Sequence, residues 1–196
     1  SLVNVVGSTL TKLSEEWLPL ACGYEISVPA TKTFTNQLVG FLYLAYRVSN
    51  RDLHELDHLS EFLQDTIRDT NQQVIEILPH LVDWNDLYSL GYGITLPIAL
   101  EAALKLKEIT YAHCEGMLST EFKHGPLAAV TKDFPVIFST IREDIPIIIS
   151  GINEVTCRGA RVIVVGPEDQ RLESNAQHTI SISEPTPEIS SILAII

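Results

Sequence analysis

Residues 86–93 read Asp86-Leu87-Tyr88-Ser89-Leu90-Gly91-Tyr92-Gly93, and Pro97 follows at the start of a long helical pattern. The first five residues predict a strand, the glycines predict a tight turn, and Pro97 suits the first turn of a helix. A strand, a glycine turn and a helix in this order let a backbone approach a ligand at the carboxyl edge of a parallel sheet. A glycine pair is equally typical of a turn that binds nothing.

Other short apolar or β-branched runs also predict strands, and helical patterns separate them. This alternation is typical of an α/β fold with a mostly parallel sheet. The further predicted strands are Val3 to Val6, Phe134 to Ser139, Val162 to Val165 and His178 to Ser183.

Three segments predict helices. Asp144 to Arg158 contains the strand-like run 145–149, but its apolar residues recur at helical spacing, and the strand that begins at Val162 needs a crossover before it. Thr35 to Val48 is apolar almost all round, which predicts a buried helix. Leu53 to Leu78 is charged with one apolar stripe, which predicts a connector along a surface that ends at Pro79.

The chain begins without Met inside a predicted strand and stops within the apolar run Ile192 to Ile196. These features predict a fragment truncated at both ends. The apolar end is expected to be exposed and to lower the solubility of the fragment.

Composition narrows the classes of partner. Lys and Arg number 13 against 25 Asp and Glu, a net charge of −12, which disfavours nucleic acid and anionic membranes. Cys22, Cys114 and Cys157 lack the spacing of a metal site or a disulfide framework, so we predict no metal and no cofactor. No signal peptide and no apolar run of ~18 residues is visible, which predicts a cytoplasmic protein.

Glu101, Lys105 and Glu108 are spaced four and three residues apart, so they share one helix face. They could form a surface salt-bridge ladder, or a carboxylate beside a lysine in a partly buried cleft, where it can act in acid–base chemistry. Neighbouring apolar residues favour the cleft: Leu104, Leu106, Ile109 and Tyr111.

His124 stands before a Gly-Pro turn, from which its imidazole can project, although a single histidine is more often structural than catalytic. His113, Cys114 and Glu115 are adjacent in a segment predicted to be helical. Adjacent helical residues do not converge on one metal ion, so no metal site is predicted there.

Three segments together resemble the glucosamine-6-phosphate synthase family, also called glutamine–fructose-6-phosphate aminotransferases. Leu96 to Tyr111 resembles a helix of that family, Glu121 to Ala128 its Glu-Leu-Lys-His-Gly-Pro-Leu-Ala motif, and Val28 to Thr35 its Val-Ala-Ser-Thr-Lys-Ala-Phe-Thr stretch. The three segments occur in the order that the family has.

The resemblance implies a tandem pair of sugar-isomerase (SIS) lobes, each a mostly parallel sheet flanked by helices. Residues 1–66 would hold the C-terminal part of an incomplete first lobe and the start of a connector helix. Residues 67–82 would be the connector, and residues 83–196 the second lobe.

The resemblance also implies an enzyme that converts fructose 6-phosphate to glucosamine 6-phosphate by ketose–aldose isomerisation in a homodimer. Glu108 would move the proton between C1 and C2, Lys105 would assist, and His124 would open the sugar ring in the neighbouring subunit's site. The sugar pocket would be lined by Val28, Ala30, Thr31 and Lys32.

Departures from the family leave alternatives open. The family's phosphate-binding loop, its C-terminal lysine and its glutaminase domain would lie outside this chain, so the fragment alone is expected to be inactive. Ala30 stands where the family has serine. An amino-sugar-phosphate deaminase, a fructosamine-phosphate deglycase, and a non-catalytic SIS module that only binds a sugar phosphate therefore remain possible.

Overall fold

The computed structural model describes residues 1–81 and 84–196 and divides into two units, residues 1–58 and residues 59–196. The predicted boundary between connector and second lobe, at residues 82 and 83, lies outside the described residues.

The first unit pairs two short parallel strands with three helices. Its first strand is shorter than predicted because the chain turns at Gly7, where φ is +83°, and leaves Val5 and Val6 exposed. The Asn4 side chain contributes to this turn, since it accepts a hydrogen bond from Cys22 N and donates one to the Gly23 carbonyl. The elements are β1 (Leu2–Val3), α1 (Thr9–Leu13), β2 (Leu18–Pro19), α2 (Lys32–Ser49) and α3 (His54–Asp57).

Helix α2 confirms the helix predicted at Thr35 to Val48, but the prediction that it is buried is wrong. Tyr46 is its one buried residue, whereas Phe41 is 61% and Val48 89% exposed. The two-residue strands of this unit offer too little apolar surface to cover a helix that is apolar on all sides.

The second unit is a sheet of five parallel strands with helices on both faces, as the α/β prediction required. Its strands run in the order β4-β3-β5-β6-β7. The strands are β3 (Asp86–Gly91), β4 (His113–Leu118), β5 (Pro135–Ser139), β6 (Arg161–Gly166) and β7 (His178–Ser181). The helices are α4 (Leu59–Ile77), α5 (Leu96–Thr110), α6 (Ile145–Thr156), α7 (Gln170–Asn175) and α8 (Pro187–Leu193).

Strand β4 corrects the prediction that residues 113–115 are helical. His113 and Glu115 are exposed and Cys114 is buried, an alternation of period two that fits a strand. Gly116 is needed here, because a Cβ at this position would lie 2.8 Å from Leu100 Cα of the covering helix α5. The strand places only Cys114 of the three in the core.

Helix α6 confirms the prediction that helical spacing would outweigh strand propensity. Pro146 lies in its first turn, and Gly159 follows its end with φ +85°. Asp144 occupies the N-cap position, but its side chain makes no capping hydrogen bond. The buried face of α6 packs on one face of the sheet, in a core that contains Ile148, Ile152, Val136 and Phe138.

The expected exposure of the apolar end is wrong for Ile192 and Leu193 in helix α8 and confirmed for Ile196, which is 47% exposed. Ile192 and Leu193 are buried, because α8 turns them toward the core of the second unit. Its N-cap residue is Thr186, whose side chain accepts a hydrogen bond from Ile189 N. None of the helices within the described residues is long and apolar enough to span a membrane.

Asp169 caps α7 and makes the stability of the second unit depend on pH in the acid range. Hydrogen bonds from the Arg171 side chain are the main cause that lowers the pKa of Asp169 to about 2, and the charge of Arg142 adds to them. This contribution to stability is present above the unfolded pKa of about 3.9 and is lost as pH falls through about 2.

We predict that Asp169→Asn, which keeps a good capping residue but removes the charge, lowers stability at neutral pH and removes this acid dependence. Hydrogen exchange of the α7 amides in the intact protein, followed from neutral pH down to about pH 2, measures it. Asp65→Asn, at an exposed carboxylate of α4, is the control. An equal acid dependence in Asp169→Asn and the wild-type protein would contradict the prediction.

Candidate active site

The carboxyl ends of β3 and β5 meet at the point where the chain changes direction across the sheet, since β4 lies on one side of β3 and β5 on the other. Such a switch point is the usual ligand crevice of an open parallel sheet. The glycine turn predicted at residues 91–93 lies here. A hydrogen bond holds the turn against strand β5: Thr95 Oγ1 donates to the Ser139 carbonyl oxygen at 2.8 Å.

Close backbone contacts require glycine at position 91, and a positive φ favours glycine at position 93. A Cβ on Gly91 would lie 2.4 Å from the Thr95 carbonyl oxygen, and one on Gly93, where φ is +54°, would lie 3.2 Å from Asp144 Oδ2. Burial, followed by the charge of Glu143, raises the pKa of Asp144. The Asp144 carboxyl group thus lies beside this turn. A carboxylate at this place disfavours the binding of an anionic ligand.

The charged trio, Glu101, Lys105 and Glu108, lies on one face of α5 as its spacing predicts. Lys105 Nζ donates a hydrogen bond to Glu108 Oε2 at 2.6 Å and lies 3.4 Å from Glu101 Oε1. The exposed fractions of the three side chains are only 18%, 14% and 22% in chain order. One cation thus joins two partly buried carboxylates.

Partial burial acts to lower the pKa of Lys105, but the hydrogen bond to Glu108 and the charges of Glu101 and Glu108 outweigh it, so the pKa is raised. The lysine therefore remains an ammonium ion between the two carboxylates at neutral pH. It can donate a hydrogen bond to oxygen that becomes negative in a reaction.

The apolar cleft predicted around the trio is present only in part. Leu106 packs with Leu87, Ala103 and Cys114 against the sheet, whereas Leu104, Ile109 and Tyr111 are exposed, Tyr111 by 91%. The trio is less exposed than these apolar neighbours because its ion pairs fold the three side chains over one another along the helix.

We predict that Lys105→Met destabilises α5 by about 1–3 kcal/mol, because it leaves two carboxylates side by side without their charged donor. Hydrogen exchange of the α5 amides in the intact protein measures the change. Because folding raises the pKa of Lys105, its contribution is present below the unfolded pKa of about 10.4 and is lost as pH rises through the higher folded pKa. Lys107→Met, at an exposed lysine of the same helix, is the control, and equal effects of the two substitutions would contradict the prediction.

His124 lies apart from the trio. It ends the 3₁₀ turn Phe122–His124, which follows β4, and its residue is exposed. Helix α5 ends near the start of β4, so Glu108 lies toward the amino edge of the sheet and His124 toward the carboxyl edge. The intervening six-residue strand measures roughly 20 Å. No hydrogen bond joins His124 to the trio within the described residues.

The predicted sugar-pocket residues belong to the first unit. Val28 is exposed, and Ala30 lies in the irregular segment that precedes α2. Thr31 is the N-cap residue of α2. Lys32 Nζ donates a hydrogen bond to the Tyr24 carbonyl at 2.8 Å and lies 4.0 Å from Glu25. The structure thus places the four residues together at the start of one helix.

Glu101 is the member of the trio to which the family resemblance assigned no role. Its spacing of four residues from Lys105 was the available signal, and the contact confirms that the two share a face. A carboxylate at this distance attracts the ammonium group of Lys105, so Glu101 shares it with Glu108, which lies closer.

Comparison with known proteins gives a consistent picture. Residues 80–196, more than half of the chain, match the SIS domain model. The glutamine–fructose-6-phosphate aminotransferase [isomerizing] of Pyrococcus horikoshii is 36% identical over 203 aligned positions, which cover 100% of this chain and 34% of that protein. The enzyme of the same name from Aquifex aeolicus is 36% identical over 200 positions, with 100% and 34% covered.

A solved structure shows the same fold over nearly the whole chain. The C-terminal domain of glucosamine-fructose-6-phosphate aminotransferase from Francisella tularensis matches with a TM-score of 0.86 and 29% identity, covering 97% of this chain and 57% of that one. The present chain spans about a third of the length of the curated relatives it matches.

Proposed function

Since this chain belongs to the SIS domain family, we propose that it forms part of the isomerase region of a glutamine–fructose-6-phosphate aminotransferase. The observation that carries the proposal is the hydrogen-bonded pair Lys105–Glu108 on α5. It lies in a chain that aligns over its whole length with proteins of that name.

The proposed reaction replaces the C2 carbonyl oxygen of open-chain fructose 6-phosphate by ammonia, with loss of water, and then isomerises the C2 imine. Glu108 removes a proton from C1, which gives a C1–C2 enolamine, and the proton is returned to C2, which leaves an aldehyde at C1. As C1 loses its proton, electron density moves onto the imine nitrogen, which takes up a proton, and Lys105, 2.6 Å from Glu108, donates a hydrogen bond to that nitrogen as its charge develops. The C1 hydroxyl gives up its proton as C2 is protonated. The product is glucosamine 6-phosphate.

The position of His124 supports a homodimer. Because His124 and Glu108 lie near opposite edges of the same sheet, roughly 20 Å apart, one copy of this unit does not bring both to a single substrate. In the proposed enzyme His124 opens the sugar ring in the partner's site. Residues 28–32 contribute to the sugar pocket, and the residues before and after this chain complete the tandem lobes.

Incubation of the intact protein with fructose 6-phosphate, comparing glutamine with ammonia as nitrogen donor, tests this proposal. We expect glucosamine 6-phosphate to form. If neither donor gives an amino sugar, the proposal fails. Ammonia release from glucosamine 6-phosphate in that case would replace it by a deaminase, the alternative that Ala30 favours, and binding without turnover would replace it by a sugar-phosphate-binding module.

A further inference from the structure

A cavity of about 340 Å³ lies at the carboxyl edge of the five-stranded sheet, on the side covered by α6. This volume falls within the roughly 300–1,000 Å³ of small-molecule pockets. The trio lies on α5, which packs on the opposite face of the sheet: Val136 and Phe138 of β5 contact the α6 core, and Ile137 contacts the α5 core. The residues that line the cavity include Ser119, Thr120, Lys123, Ile147, Ser150 and Glu154.

Ser119 gives this cavity an unsatisfied polar group. The residue is 4% exposed, and its Oγ has no hydrogen-bond partner among the described residues. A buried hydroxyl without a partner costs free energy. Rotation about the Cα–Cβ bond moves Oγ among three staggered positions, so a ligand in the cavity can supply the missing partner.

The other lining groups suit a neutral molecule with many hydroxyl groups. Thr120 and Ser150 each offer a hydroxyl that both donates and accepts hydrogen bonds. Lys123 Nζ lies 3.9 Å from Glu154 Oε1, too far for a strong hydrogen bond, so this pair can still bind a ligand as one donor and one acceptor.

Charge and shape narrow the ligand further. The lysine and the glutamate cancel, so the lining favours neither an anion nor a cation. Pro146 and Ile147 add an apolar surface beside the polar groups. A small sugar ring has the same division, with hydroxyl groups at its edge and C–H groups on its faces.

We propose that this cavity, hereafter the α6 cavity, binds an unphosphorylated monosaccharide or sugar alcohol, separately from the sugar-phosphate site of the trio. None of the residues that line the cavity belongs to the trio or to residues 28–32, and of the proposed catalytic residues only His124 adjoins it, as the neighbour of Lys123 in the chain.

Titration of the intact protein with D-glucose, followed through the ¹³C-labelled methyl resonances of Ile147, tests the proposal. We expect a saturable shift with a Kd of about 1–10 mM that persists when fructose 6-phosphate is present in excess. No saturable shift, or its displacement by fructose 6-phosphate, would overturn the proposal, since displacement would mean that glucose enters the sugar-phosphate site.

Substitutions in the lining of the α6 cavity test whether glucose binds there. Ser150→Ile fills the α6 cavity and should abolish the shift, and Ser119→Ala should weaken binding several-fold while altering the fold least. Ser174→Ala, at an exposed serine of α7, is the matched control and should bind like the wild-type protein. Unchanged binding in Ser119→Ala and Glu154→Gln, both checked for wild-type melting, would contradict the proposal even if Ser150→Ile did not fold.

Discussion

Glu108→Gln in the intact protein is expected to lower the rate of amino-sugar formation by about 10²–10⁴-fold, the usual contribution of a positioned acid–base group. The amide keeps the shape of the side chain, and its oxygen can still accept the hydrogen bond that Lys105 donates to Glu108. It does not accept a proton from C1 at neutral pH. The effect should therefore fall on turnover and leave the binding of fructose 6-phosphate nearly unchanged.

A matched substitution separates chemistry from a general effect of lost charge. Glu173→Gln removes one carboxylate from the exposed surface of α7 and should retain wild-type turnover. Glu173→Gln should melt like the wild-type protein, and Glu108→Gln should stay folded at the assay temperature with a small loss of stability, because it makes one charged partner of Lys105 neutral. Full activity of Glu108→Gln would remove Glu108 from the mechanism and favour a structural salt bridge on α5.

Gly91→Ala is expected to destabilise the second unit by about 1–3 kcal/mol, the range for overpacking, or more if the turn does not adjust. Its Cβ would lie 2.4 Å from the Thr95 carbonyl oxygen and 2.9 Å from Leu96 Cα. Both are backbone atoms, so the methyl group fits only if the start of α5 moves away from β3. Thermal melting and hydrogen exchange of the amides of β3 and α5 measure the loss.

Gly40→Ala is the control for that substitution. Its Cβ would meet only the end of the Leu2 side chain, at 3.1 Å, and alanine is favoured over glycine within a helix. Stability should be unchanged or slightly higher. A Gly91→Ala protein as stable as Gly40→Ala would show that the turn accommodates a side chain, contrary to the geometry of the crevice.

The elements that sequence predicted well are those decided by local pattern. The strand, glycine turn and helix at residues 86–110 depend on neighbours within the segment, as does α6, whose apolar residues at 145, 148, 152 and 155 recur at helical spacing. The Lys105–Glu108 contact was predictable for the same reason, because a spacing of three residues places two side chains on one helix face.

Features that depend on distant partners were not predictable. Strand β4 contains His113, Glu115 and Gly116, which give it little strand propensity, and its identity depends on pairing with β3. The prediction that α2 is buried was wrong because composition alone does not specify what covers a helix. The separation of His124 from Glu108 follows from the direction of β4 between them, which no local pattern contains.

The most direct test of the central claim, that Glu108 moves a proton away from C1, follows deuterium at C1 of fructose 6-phosphate in the presence of ammonia. In the intact wild-type protein and in Glu173→Gln, we expect deuterium to be lost from C1 as glucosamine 6-phosphate forms. The lost deuterium should appear at C2 or in water. Glu108→Gln should release it at least about 100-fold more slowly. Loss of deuterium from C1 at the wild-type rate in Glu108→Gln, or no loss in the wild-type protein, would contradict the role proposed for Glu108.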